Sequence, residues 1–273
     1  MPDANLTPIS EYPQRIVCLT EETTETLYLL GEDWRIVGIS GFTVRPPRAR
    51  REKPRVSAFT SANTGRILAL RPDLVLGFSD LQADIGAELT RAGLEVHLFN
   101  QRSIAEILRM IRTLGGMLGC EPKARLLADE LGRGLDAVRA RAAALARRPR
   151  VYFEEWDDPL ISGIRWVSEL IGLAGGEDCF PELARESLGR NRIIADPAEV
   201  PRRAPDIVLG SWCGKKFRPQ QVAARPGWSA VPAVRTGFVR EIKSALILQP
   251  GPAALTDGVR AVSDIIAEWA RRT

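Results

Sequence analysis

The 273-residue chain contains a single histidine, His97, and four cysteines, Cys18, Cys120, Cys179 and Cys213. No two cysteines form a C-x-x-C pair, so the usual Cys/His zinc arrangements are excluded. Four scattered thiols do not make a disulfide framework either. Glycine-rich phosphate loops of the G-x-G-x-x-G or Walker type are missing, which argues against a nucleotide cofactor. No apolar run approaches 18 residues, so no membrane insertion is expected. Charge of one sign is also lacking: 38 basic against 34 acidic residues leave a net +4, with no basic stripe interleaved with aromatics, and no nucleic-acid partner is expected. The first ten residues, Met1–Ser10, have no basic start, apolar stretch or small-residue cleavage site. They read against a signal peptide and give a cytoplasmic expectation, with a periplasmic one if the true start lies upstream.

What is present is an alternation of strand and helix signals. Short apolar runs at Arg15–Leu19, Arg35–Ser40, Asp73–Phe78 and Glu95–Phe99 have the form of buried parallel strands. Helical stretches separate them, one closed by Gly31. A Pro- and Arg-rich loop fills Arg45–Arg55. Another helix covers Ser103–Leu118, and from Glu121 to about Arg147 leucines, Val138 and Ala142 recur at helical spacing without a strand signal. Such a helix is roughly 40 Å long. Strands then resume at Arg150–Glu154, Asp206–Ser211 and Phe238–Ile242.

An internal repeat organises this pattern. Arg71-Pro-Asp-Leu-Val-Leu-Gly77 returns as Ala204-Pro-Asp-Ile-Val-Leu-Gly210, and Arg15-Ile-Val-Cys-Leu has a counterpart in Arg150-Val-Tyr-Phe-Glu at nearly the same offset. One lobe architecture used twice is expected: α/β, two Rossmann-like lobes with mainly parallel sheets joined by a single long α-helix. The boundaries are 1–119 for the N-terminal lobe, 120–148 for the connecting helix and 149–273 for the C-terminal lobe.

Several further segments add a resemblance: Thr24-Glu25, Val37-Gly38, Ile67-x-Ala69-Leu70-x-Pro72-Asp73, Glu155-Trp156-x-Asp158-Pro159, Trp166-x-x-Glu169-Leu170-Ile171, Trp212-Cys213-Gly214 and Arg225-Pro226-Gly227-Trp228. In order and spacing they resemble the substrate-binding proteins of ABC importers for cobalamin, siderophores and haem, the C-terminal segments being most similar to the cobalamin-binding branch. The resemblance implies a non-catalytic protein that takes cobalamin or a related corrinoid in the cleft between its lobes and needs no cofactor. A siderophore or haem ligand, or a cytoplasmic enzyme or chaperone on the same scaffold, is the alternative. Family members dock on their transporter through one glutamate per lobe. Here those positions fall on Gly65 and near Ala198, beside Glu199, so docking is doubtful.

Ligands of open α/β sheets bind beyond the carboxyl ends of the strands. That rule selects Thr20, Phe42, Phe59 and Phe78 in the first lobe, and Trp156, Trp166, Trp212, Cys213, Lys215, Phe217 and Gln249 in the second. With aromatics at only 6% of the chain, their gathering at strand ends suits a flat apolar macrocycle. Trp228, Trp269 and His97 read as core residues. Glu154, Glu155, Asp157 and Asp158 form an acidic cluster without a histidine or nucleophile, and Cys213, near two lysines, is the best candidate for a reactive thiol.

Overall fold

The computed structural model describes residues 10–272. The signal-peptide reading of Met1–Ser10 therefore lies outside the described residues, except for Ser10. Two compact units emerge. One holds the residues up to Gln101 and Leu108–Ala128; the other holds Arg102–Ile107 and the chain from Asp129 onward.

The first lobe contains β1 (Ile16–Cys18), α1 (Glu21–Leu30), β2 (Ile36–Ser40), α2 (Ala49–Glu52), β3 (Arg55–Ser57), α3 (Thr64–Ala69), β4 (Leu74–Phe78), α4 (Ala83–Arg91) and β5 (Val96–Phe99). Its five strands lie in the order β3-β2-β1-β4-β5 and every pair is parallel. Ile16, Val17 and Cys18 are wholly buried, as the central strand of a sheet covered on both faces requires. Burial pushes the Cys18 thiol up to about 12, so it packs as a small hydrophobe.

Next come α5 (Ile104–Met117) and α6 (Glu121–Ala142). At 22 residues, α6 is about 33 Å long. It ends five residues before the expected Arg147, where Ala144 and Leu145 donate to carbonyls three residues back. Leu145 is pressed against Gly175, leaving no room for a Cβ there, and Pro149 disfavours helix in the residue before it.

The second lobe is built from β6 (Arg150–Asp157), β7 (Leu160–Ser162), α7 (Arg165–Leu173), β8 (Glu177–Asp178), α8 (Glu199–Arg203), β9 (Ile207–Gly210), α9 (Pro219–Ala223), α10 (Pro232–Arg235), β10 (Val239–Glu241), α11 (Ser244–Ile247) and α12 (Val259–Arg272). Strand order is β10-β9-β6-β7, with β8 also on β6. Only the β6–β7 pair is antiparallel. Its core gathers Tyr152, Phe180, Val208 and Trp228, with Tyr152 edge-on to both Phe180 and Trp228. Trp269 is buried as well.

The repeated Pro-Asp segment does the same job in both lobes. Asp73 accepts the Arg15 amide at 2.8 Å and returns its own amide to the Arg15 carbonyl at 2.9 Å. Asp206 accepts the Arg150 amide at 2.8 Å and donates to the Arg150 carbonyl at 2.8 Å. The residue two places earlier is left-handed in each case, Arg71 with φ 46° and Ala204 with φ 45°, a conformation uncommon outside glycine. This double bond sets the register: Ile16 lies beside Leu74 and Val151 beside Ile207.

Candidate functional site

In the first lobe the chain reverses its winding direction between β1 and β4, and ligands of such sheets sit at that switch point. Three loop ends meet there on Gln82. This fully buried side chain accepts the Phe78 amide at 2.9 Å and donates to the Phe59 carbonyl at 2.8 Å and, at the longer distance of 3.5 Å, to the Leu19 carbonyl. Space for it exists because Gly77, next to the last residue of β4, has no Cβ, which would stand 2.8 Å from the Gln82 Oε1. After β1, Thr20 donates its hydroxyl to Glu22 Oε1 at 2.6 Å, while the buried Glu22 Oε2 has no hydrogen-bond partner. Burial, reinforced by their mutual repulsion, pushes Glu21 up to about 8; burial likewise raises Glu22 to about 7. Both acids lie in the first turn of α1. Phe42 is 53% exposed in the turn after β2, and Leu81, after β4, is equally open.

In the second lobe, the ends of β6 and β9 carry a network of buried charge. Glu154, fully buried, accepts two hydrogen bonds from Arg225 at 2.5 and 2.9 Å, one from Trp212 Nε1 at 3.1 Å and one from the Tyr152 hydroxyl at 3.1 Å. Both carboxylate oxygens of Glu155 accept from the single Nη2 of Arg192, each at 2.6 Å. Asp157 binds Lys215 at 2.6 Å. That lysine Nζ lies 5.5 Å from the Trp156 ring centre and 5.1 Å from that of Trp212, inside cation–π range. Three of the four acids of the cluster are thus committed to cations, which is poor preparation for proton transfer.

The structure divides the expected site residues. Phe42 is exposed, Phe59, Trp156 and Gln249 are partly exposed, and Cys213 and Lys215 lie on the surface. Thr20, Phe78, Trp166, Trp212 and Phe217 are buried. Trp166 donates its ring N–H to the Ile247 carbonyl at 2.8 Å. Trp212 is 4% exposed and stands edge-on to Phe217 at 4.8 Å. Phe217 folds back over Gly210, where a Cβ would fall 1.8 Å from its ring. The strand expected to end at Glu154 runs on through Asp157, and its extension pairs with β7. His97 is half-buried against Phe99, and burial lowers its pKa. Gly65 lies exposed in the first turn of α3, and Glu199 opens α8 paired to Arg202 and Arg203.

Comparison with known proteins places this geometry. An ABC transporter substrate-binding lipoprotein of Bacillus subtilis, YvrC, is 25% identical over 267 residues, covering 94% of this chain and 81% of its own. A cobalamin-binding protein of Halobacterium salinarum is 26% identical over 265 residues, covering 92% and 69%. The crystal structure of the periplasmic vitamin B12-binding protein BtuF of Vibrio cholerae superposes with a TM-score of 0.75 at 22% identity, over 96% of this chain and 99% of that one. At that identity the superposition speaks for the fold. A lipoprotein and a periplasmic protein among these relatives overturn the cytoplasmic expectation, and the polar Met1–Ser10 segment carries no statement about location. The family model described as "Periplasmic binding protein" matches residues 16–246, and the chain belongs to that family.

Proposed function

We propose that this protein is a non-catalytic binder of cobalamin or a related corrinoid, held by the loops at the carboxyl ends of the strands. One observation carries the reading: side chains with apolar area open to solvent stand at strand ends in each lobe, Phe42, Phe59 and Leu81 in the first and Trp156 in the second. A flat macrocycle presents the apolar face that such side chains cover. The Halobacterium relative, a cobalamin-binding protein, supports the choice among metal chelates. Lys215 is the polar partner at the same rim, suited to a phosphate or carboxylate on the ligand. Thr20, Phe78, Trp212 and Phe217 serve beneath, as the packing that holds these loops. Docking on importer membrane subunits through a glutamate on each lobe is not part of the proposal, since Gly65 offers no carboxylate.

Titration with cobalamin, cobinamide and haem, followed by the visible spectrum and tryptophan fluorescence, tests the reading. Saturable binding of either corrinoid is expected. Trp156→Ala is expected to weaken it by about 2 kcal/mol, roughly thirtyfold, with little change in melting temperature. Saturation by haem alone moves the assignment to the haem alternative; saturation by none of the three sinks it.

A further inference from the structure

The basic segment Arg45–Arg55, read from sequence as a loop, divides into two kinds of cation. Arg45 is paired with Glu25 at 2.8 Å and Arg48 with Asp33 at 3.3 Å. Arg50, Lys53 and Arg55 instead converge with Arg66 of α3 on a groove of about 640 Å³ in the first lobe. No carboxylate lines this groove, and none of its four cations forms an ion pair with a described residue. Its apolar walls include Val56 and Leu70. Arg55 opens β3 and Leu70 follows α3, so the groove lies where the strands begin. Phe42 and Phe59 follow the opposite ends of β2 and β3.

Four like charges around one concavity repel one another, and although Arg50 also feels the Glu21 carboxyl, whose pKa it lowers, no carboxylate in the lining offsets the four, which leaves that role to a bound anion or to screening. Elsewhere in the same lobe the fold supplies its own counterions: Glu32 takes both Arg35 and Lys123. The contrast lies in placement, not in composition. Arginine forks and a lysine point charge suit phosphate oxygens, and the spread of the four around the groove suits more than one phosphate group. We propose that this groove is a second binding site, separate from the strand-end loops, for an anion bearing two or more phosphate groups, with any apolar part of the ligand against Val56 and Leu70. The same chemistry is offered by a soluble diphosphate and by anionic phospholipid headgroups at a membrane surface.

The intact protein is titrated calorimetrically with inorganic pyrophosphate at low salt and tested for flotation with phosphatidylglycerol vesicles against phosphatidylcholine vesicles. The groove variant is Arg55→Gln with Arg66→Gln, and a second, Arg50→Gln with Lys53→Gln, probes the other wall. The control, Arg91→Gln with Arg133→Gln, removes the same charge from exposed helix positions. Removing one charge-assisted hydrogen bond to phosphate is expected to weaken binding about tenfold, so each groove variant binds about a hundredfold more weakly while the control and the melting temperature hold. Pyrophosphate binding that follows this pattern identifies a soluble ligand, and flotation with phosphatidylglycerol alone identifies the headgroup. Binding of neither probe, or equal weakening in groove and control variants, overturns the proposal.

Discussion

At the scale of single residues, Trp156 and Trp212, two of the five tryptophans of the second lobe, differ in exposure. Trp212 is buried with its ring N–H on Glu154 and its edge on Phe217. Trp212→Ala is therefore expected to lower stability by about 3–5 kcal/mol, read from urea unfolding, and not to act first on affinity. Glu154 depends on Arg225 for its counter-charge. Arg225→Met leaves a carboxylate buried and unpaired, at about 3–5 kcal/mol, and adding Glu154→Gln is expected to recover much of it; a double variant no more stable than the single one counts against this account. In the first lobe, Glu21 and Glu22 titrate at about 8 and about 7 in the folded protein, up from 4.5. A folded state that keeps protons which the unfolded chain releases loses stability as pH rises. Melting temperature is thus expected to fall between about pH 4.5 and pH 8, and Glu21→Gln with Glu22→Gln flattens that slope. The sequence showed these acids but not their burial, because a glutamate at a helix start is ordinarily solvated.

At the scale of elements, strands with runs of buried residues were legible, while β3 and β7 were not. β1, β4, β6 and β9 each carry buried residues in succession, and that signal needs no context. β3 has only Arg55, Val56 and Ser57. It exists because Ile39 donates to the Pro54 carbonyl and Gly41 to that of Ser57, and such cross-strand bonds leave no period in three residues. β7 was hidden similarly, its register fixed by pairing with the end of β6. The matched glycines Gly77 and Gly210 show how an element end is shaped by what folds over it. Gly210→Ala drives a Cβ into the Phe217 ring and is expected to cost about 1–3 kcal/mol or more. Phe217→Leu in the same background should restore part of the loss, and thermal melts of the three proteins decide it.

At the scale of the whole molecule, the family gives the two lobes a common purpose, and ligand linkage offers a test that does not depend on any single side chain. A ligand that binds only the folded chain stabilises it by about 2.7 kcal/mol at a hundred times its Kd. For a chain of this size the melting temperature is expected to rise by several degrees, at about 2–4 °C per kcal/mol. A corrinoid that binds by fluorescence yet leaves the melting curve unmoved is not binding the native fold.

The sequence by itself determined the twice-used α/β architecture. Its repeat encodes a physical device, an aspartate that clamps the neighbouring strand's first amide, as Asp73 and Asp206 both do. Local signals sufficed because apolar runs and turn chemistry are carried by adjacent residues. Which aromatics stay open was decided only by tertiary structure. Phe42 and Phe217 both follow the ends of strands, yet one is 53% exposed and the other 2%. The difference is Gly210, whose bare backbone admits the Phe217 ring. In the same way, the pairing of Arg45 and Arg48 but not of Arg50, Lys53 and Arg55 depends on where distant carboxylates fall. Exposure and charge neutralisation are set by what packs against a residue from elsewhere in the chain, and a linear pattern does not contain that neighbour.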